Sequence, residues 1–130
     1  MIPHRPEFAA TLLRLALGVL FIAHGLLKVL VFTVPGTVAF FQSIGLPGVL
    51  AYVIIAAELL GGTALIIGFL TRWAALGLAI VAFGSIIPHA ANGWLFSSAG
   101  GGWEFPLFLA ITCLVQALLG GGKFAVDRRA

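Results

Sequence analysis

Residues 12–32 read LLRLALGVLFIAHGLLKVLVF, and this stretch decides how the rest of the chain is interpreted. It is almost wholly apolar, and a helix that spans a bilayer needs about 20 such residues. Yet His24 and Lys28 stand four residues apart within it, a spacing that places both side chains on one face of a helix. A cation inside a membrane helix costs roughly 2.5–3.5 kcal/mol on insertion scales. We therefore expect other helices to supply partners for Lys28.

The composition is that of a small integral membrane protein. Of the 130 residues, 62% are hydrophobic and 8% are charged, whereas a soluble domain carries about 25% charged residues. The net charge of +3 comes from few, scattered basic residues, which argues against a nucleic-acid-binding surface. The single cysteine, Cys113, excludes an intramolecular disulfide and a cysteine metal cage. We expect one transmembrane domain over residues 1–130 and no cleaved signal peptide, because no persuasive cleavage site follows the first apolar run.

Four apolar segments predict four membrane-spanning helices, at about residues 10–32, 49–70, 73–90 and 103–119. Pro88 removes a backbone hydrogen bond and should kink or end the third helix. Residues 38–44 can form two further helical turns, at the membrane interface. Seventeen glycines, among them Gly61 and Gly62, predict close contact between helices. The predicted fold class is all-α, an integral membrane four-helix bundle.

The basic residues predict the orientation of this bundle. With four spans, the side that holds both termini and the turn at 71–72 carries these basic residues: Arg5, Arg14, Arg72, Lys123, Arg128 and Arg129. The connections 33–48 and 91–102 carry no Lys or Arg. The positive-inside rule then places both termini in the cytoplasm, with the chain a multi-pass membrane protein. The side chain of Arg14 is expected to extend to the cytoplasmic interface.

Five ionisable residues are predicted to share the outer half of the bundle: His24, Lys28, Glu58, His89 and Glu104. At a rise of about 1.5 Å per residue, Lys28 lies roughly 6 Å, His24 roughly 12 Å and Glu58 about 13 Å below the outer boundary. Each of the five also has a purely structural explanation, such as neutralising a neighbour or bonding a free carbonyl. Their common depth favours a polar pocket.

A Lys, Glu and His group in an apolar pocket is suited to binding the head group of a quinone or of a lipid, or to moving a proton. The His and Glu residues show no HxxxH or ExxH spacing, so we expect no metal site. No flavin or nucleotide motif occurs, nor a pair of haem ligands. The chain is therefore not expected to be a complete oxidoreductase by itself.

The motifs occur in a particular order: Arg14-Leu15-x-Leu17-Gly18, His24-Gly25-x-x-Lys28, Gly45-Leu46-Pro47, Glu58-x-x-Gly61-Gly62, Gly68-x-x-Thr71-Arg72, His89 and Gly101-Gly102-x-Glu104. This order resembles the DoxX family of small four-span bacterial membrane proteins, over about residues 14–127. It departs from the family pattern after His89, where AANGW stands in place of the more usual Gly-Phe-Phe. The positions matched by motif include Arg14 and Arg72, with Arg72 an inner-face anchor or a partner contact.

The resemblance implies a redox-associated protein, since relatives include subunits of thiosulfate:quinone oxidoreductase and membrane partners of oxidative-stress enzymes. We accordingly expect a multi-pass subunit of the bacterial inner membrane whose outer pocket binds quinone or a quinone-like molecule while a partner oxidoreductase supplies electrons. No catalytic residue is assigned, and homo-oligomerisation stays open. Two alternatives remain: a non-catalytic membrane anchor or assembly factor of a larger complex, and a small transporter or lipid-binding protein.

Overall fold

The computed structural model describes residues 2–127, and this part of the chain is helical with no strands. Helix α1 covers Pro6–Leu26 and continues as a π-helical segment over Leu27–Val31. The remaining elements are α2 (Val34–Ser43), α3 (Val49–Ile67), α4 (Thr71–Gly84), a 3-10 segment (Ile87–Asn92) and α5 (Glu104–Leu119). Arg128 and Arg129, which entered the prediction of orientation, lie outside the described residues.

Four of the helices pack in a closed ring, α1 on α3, α3 on α4, α4 on α5, and α5 on α1. Leu17 and Phe21 of α1, Leu78 of α4 and Ala110 of α5 are buried together in the centre. The backbones of α1 and α3 nearly touch, because a Cβ atom added to Gly18 would lie 2.9 Å from the carbonyl oxygen of Gly62. The expectation that small residues permit close helix contact therefore holds for this pair of helices.

By length and composition, two helices within residues 2–127 could cross a membrane, Pro6–Val31 with its π segment and Val49–Ile67. Helices α4 and α5 are apolar but shorter, with 14 and 16 residues. Large hydrophobic side chains on the outside of all four helices are exposed, for example Leu12, Leu60, Ile80 and Phe108. Such a surface is suited to contact with lipid rather than with water.

The helix boundaries differ from the predicted ones where the backbone ends a helix early. The second predicted span ends at Ile67 rather than near 70, because Gly68 adopts a left-handed conformation with φ 76°. The third ends at Gly84 rather than near 90, and Pro88 falls in the 3-10 segment that follows. Pro88 has no N–H to donate to the carbonyl of Gly84, so the α-helical pattern cannot continue through it.

The two ends of the ring differ in chemistry. At one end, which we call the basic end, the start of α1, the α3–α4 turn and residues 120–127 meet through backbone hydrogen bonds such as Lys123 N–H to Glu7 O and Asp127 N–H to Gly68 O. The opposite end contains the last turn of α1, the π segment, α2, the first half of α3 and residues 87–105; we call it the ion-pair end because Lys28 and Glu58 form an ion pair there. The predicted site residues other than Arg14 and Arg72 belong to the ion-pair end.

Candidate functional site

Lys28 and Glu58 form an ion pair between α1 and α3, with the Lys28 Nζ atom 2.7 Å from the Glu58 Oε1 atom. The Glu58 side chain is 6% exposed and that of Lys28 is 21% exposed. Glu58 lies on the buried face of α3, one turn from Ile55 and one turn from Gly62. Its carboxylate therefore points into the helix contact, where the ammonium of Lys28 neutralises it.

The direction of Lys28 depends on the π segment, in which the Phe32 N–H donates to the carbonyl of Leu27, five residues back, at 2.9 Å. A π turn accommodates one residue more than an α turn and changes the directions of the side chains that follow. One turn earlier, Gly25 brings α1 close to α3: a Cβ there would lie 2.7 Å from a methyl group of Leu59 and 3.4 Å from Glu58 Cβ. Close approach and altered register together bring the ammonium to the carboxylate.

His24 is half-buried and joins α1 to α5. Its Nδ1 atom is 2.8 Å from the carbonyl oxygen of Leu20, and a carbonyl can only accept, so Nδ1 carries the hydrogen. In the neutral ring, Nε2 then keeps its lone pair and can accept a hydrogen bond or a proton. The ring stacks on Phe105, with centroids 6.3 Å apart and planes 19° apart, and Phe105 in turn contacts Phe96 at 6.0 Å.

His89 and Glu104 organise the loop at the ion-pair end. His89 Nδ1 lies 3.1 Å from the carbonyl oxygens of both Gly100 and Gly101, so its N–H holds this loop against the 3-10 segment. Glu104 is the first residue of α5, where a carboxylate complements the helix dipole. Within residues 2–127, no hydrogen bond or ion pair joins either side chain to Lys28 or Glu58. The five predicted pocket residues thus share one end, but only Lys28 and Glu58 are directly paired.

Arg14 occupies a position that the sequence analysis did not predict. The residue is 1% exposed, and its guanidinium donates to the carbonyls of Leu65 (2.8 Å), Ile66 (2.7 Å), Gly121 (3.0 Å) and Lys123 (3.3 Å). The expectation that its side chain extends to the interface is therefore wrong. The carbonyls at the end of α3 have no partners within their own helix, so the buried guanidinium satisfies them and complements the dipole of α3.

Arg72 is exposed at the start of α4 and reaches the end of α5, where its Nε–H donates to the carbonyl of Ala117 at 3.2 Å. This hydrogen bond links α4 to the neighbouring helix α5. Both arginines therefore belong to the basic end and stand apart from the ion pair.

Among residues 2–127, three buried polar residues were assigned no role in the sequence analysis: Thr37, Thr71 and Gln116. Thr37 of α2 is 4% exposed, and its hydroxyl bonds the carbonyls of Lys28 (3.1 Å) and Thr33 (2.9 Å). Gln116 of α5 is fully buried and donates to the carbonyls of Ala10 and Gly120. Thr37 had a weak signal in the sequence, namely a hydroxyl residue four positions after Thr33 in an apolar connection. Gln116 had a clearer one, an amide inside an apolar helix.

Metal binding has no support within residues 2–127, because no group of three or more His, Cys, Asp or Glu side chains there lies close enough to hold an ion. The charged and imidazole side chains of the ion-pair end are one ammonium, the buried carboxylate of Glu58, the carboxylate of Glu104 and two imidazoles whose Nδ1 hydrogens are already donated. Such a set can donate to and accept from an organic head group, and can transfer protons.

Comparisons with known proteins agree with the motifs. The chain is 37% identical over 121 residues to the Bacillus subtilis protein named "Putative oxidoreductase CatD", covering 93% of this chain and 86% of that one. It is 33% identical over 128 residues to an uncharacterized protein of Haemophilus influenzae, covering 97% and 92%. No solved structure matches significantly.

The family model named DoxX matches residues 9–91, which include His24, Lys28, Glu58 and His89 but not Glu104. This match covers well over half of the chain, and it confirms the resemblance derived from the motifs. The chain belongs to the DoxX family.

Proposed function

We propose that this chain is a subunit of the bacterial inner membrane that binds a quinone or a quinone-like molecule at its ion-pair end and works with a partner oxidoreductase. Membership of the DoxX family and the name of the Bacillus relative support a redox-associated membrane protein. The observation that carries the quinone proposal is the Lys28–Glu58 ion pair, which puts opposite charges into an otherwise apolar contact between α1 and α3.

The donors and acceptors at this end fit a quinone head group. The Lys28 ammonium has three N–H donors, and its 2.7 Å contact with Glu58 Oε1 is an ion pair without hydrogen-bond alignment, so donors remain for a ligand carbonyl. His24 offers Nε2 as an acceptor for a hydroxyl of the reduced quinol, since its Nδ1 hydrogen is donated to Leu20 and a quinone carbonyl itself has no hydrogen to donate. When bound, a quinone supplies two-electron, two-proton redox chemistry, with the electrons delivered by the partner. Lys28 would orient the carbonyl, while His24 and Glu58 would hold and transfer protons.

In this proposal the chain spans the membrane four times, with the ion-pair end outward and both termini in the cytoplasm. Helices α4 and α5 are about 21 Å and 24 Å long at 1.5 Å per residue, so flanking residues would complete their passage through a hydrocarbon core of about 30 Å. Arg14, Arg72 and Lys123 at the basic end support this orientation, because cytoplasmic flanks carry an excess of basic residues.

The proposal is tested with two matched double variants, each of which removes one ion pair. Lys28→Met with Glu58→Leu removes the pair at the ion-pair end. Lys123→Met with Glu7→Leu removes the pair at the basic end, whose charged atoms lie 3.7 Å apart and are more exposed. Binding of a short-chain ubiquinone and a short-chain menaquinone to the protein in nanodiscs is measured by quenching of tryptophan fluorescence.

We expect the control to bind like wild type and the Lys28–Glu58 variant to bind at least tenfold more weakly, because a hydrogen bond from a charged donor contributes about 1.5–3 kcal/mol. Equal affinity in all three folded proteins would refute the proposal. Extraction from native membranes adds a second criterion. Quinone that co-purifies with wild type but not with the Lys28–Glu58 variant supports the proposal. Lipid in place of quinone would indicate a lipid-binding protein.

A non-catalytic anchor is the second candidate function, and one observation favours it. The two charges of the ion pair neutralise each other within the chain, as a structural lock between α1 and α3 would require. This role predicts that no quinone binds to any of the three proteins.

A further inference from the structure

Thr37 of α2 contacts the π segment, which sets the direction of the Lys28 side chain. Its side chain is buried, and the hydroxyl is 3.1 Å from the carbonyl oxygen of Lys28 and 2.9 Å from that of Thr33. A hydroxyl has one hydrogen, which is therefore shared between these two acceptors. The contact joins the backbone of Lys28 to α2, nine residues further along the chain.

The carbonyl of Lys28 needs this donor because of the π register. In an α-helix the Phe32 N–H would donate to Lys28, but here it donates to Leu27 at 2.9 Å. The chain then leaves the helix at Thr33. The backbone φ of this residue is 66°, a left-handed value that residues other than glycine rarely adopt. An unpaired carbonyl away from water is unfavourable, so the buried hydroxyl stabilises the π register over the α register.

Helix α2 contacts both of the elements that carry the ion pair. It packs on the π segment that carries Lys28 and also on α3, which carries Glu58. The contact with α3 is close, because a Cβ atom at Gly48 would lie 2.8 Å from a methyl group of Val38. A shift of α2 would therefore move the backbone of Lys28 through the Thr37 hydrogen bond and so alter the ion pair.

We propose that Thr37 is the positioning residue of the site: its hydroxyl holds the π segment in the register that directs the Lys28 ammonium to Glu58. This inference deepens the proposed function, and its consequence for quinone binding rests on that function. The positioning itself is measured without any quinone.

The chain offers an internal reference for this measurement, since Lys28 and Lys123 are its only two lysines. The full-length protein in nanodiscs is treated with an amine-reactive acetylating reagent, and mass spectrometry gives the labelling rate of Lys28 relative to Lys123. In wild type, Lys28 is paired and largely buried, so it should react slowly. Thr37→Val keeps the shape of the side chain but removes the hydroxyl, and we expect the Lys28 to Lys123 ratio to rise at least threefold.

Two further variants distinguish the effect of losing the Thr37 hydroxyl from a general loosening of the structure. Thr37→Ser restores the hydroxyl and should return the ratio to the wild-type value. Thr112→Val removes a hydroxyl that bonds the carbonyl four residues back at 2.7 Å in α5, away from the site, and should leave the ratio unchanged. A wild-type ratio in folded Thr37→Val would overturn the proposal, and so would an equal rise in Thr37→Ser. If Thr37→Val is not recovered folded, Thr37→Ala is compared with Thr37→Ser by the same two criteria.

Quinone affinity then distinguishes the two proposals. If both hold, Thr37→Val weakens quinone binding together with the rise in labelling. A rise in labelling with unchanged quinone affinity would keep Thr37 as the positioning residue and would refute quinone binding at Lys28.

Discussion

Lys28 Nζ lies 2.7 Å from Glu58 Oε1, and this pair joins α1 to α3 at a point where the carboxylate is almost wholly buried. Burying two charges costs several kcal/mol per ion, which offsets most of their mutual attraction. Apolar side chains of similar volume would hold the two helices together at least as well. The ion pair therefore adds little stability by itself, which is compatible with the ligand-binding role that we propose for it.

Removing one charge should cost more stability than removing both. Lys28→Met leaves the Glu58 carboxylate buried without its cation, and we expect a loss of about 3–5 kcal/mol in the free energy of unfolding. Adding Glu58→Leu should restore stability to within about 1 kcal/mol of wild type. Denaturant unfolding in mixed micelles, followed by circular dichroism, measures both values. Equal losses for the single and double variants would contradict this explanation.

Arg14 is buried and Arg72 is exposed, so comparing them tests how much a buried guanidinium contributes to stability. Arg14→Lys keeps the charge but loses the planar fork that reaches four carbonyls, so we expect a loss of about 2–4 kcal/mol. Arg72→Lys removes one exposed hydrogen bond and should cost at most about 1 kcal/mol. The measurement is the same unfolding experiment. Comparable effects for both substitutions would show that burial of Arg14 contributes little.

Gly18 and Gly77 test the close contact between α1 and α3. In Gly18→Ala the new methyl group would meet the Gly62 carbonyl at 2.9 Å, so the helices must separate and stability should fall by about 1–3 kcal/mol. Gly77 of α4 has open space where its Cβ would lie, and alanine is about 1 kcal/mol more favourable than glycine inside a helix. Gly77→Ala should therefore be neutral or stabilising. Thermal unfolding of the purified variants checks the opposite signs.

Orientation can be measured with cysteine labelling, because the native Cys113 is fully buried and gives a low background. Ser97→Cys places a thiol in the exposed loop of the ion-pair end, and His4→Cys places one at the basic end. In intact spheroplasts, a membrane-impermeant maleimide should label the cysteine at position 97 and leave that at position 4 unlabelled until the membrane is opened. The reverse pattern would invert the proposed topology, and labelling of both would rule out the odd number of spans, three, that the proposal places between them.

The sequence analysis expected other helices to supply partners for Lys28, and it left neutralisation by Glu58 as one structural explanation beside the pocket. Depth alone does not give rotation about a helix axis, so it could not show that His89 and Glu104 make no contact with Lys28. The π segment could not be predicted, since Leu27–Val31 has no composition that distinguishes it from an α-helical turn. Arg14 was misplaced because its partners are backbone carbonyls, and no residue type marks them in a sequence.

The guanidinium of Arg14 also has consequences for biogenesis. Two of its acceptors, on Gly121 and Lys123, lie 107 and 109 residues further along the chain. Until those residues have been synthesised, this cation lacks two of its four protein acceptors. The contacts of the first helix to be made are thus completed only by nearly the last residues of the chain.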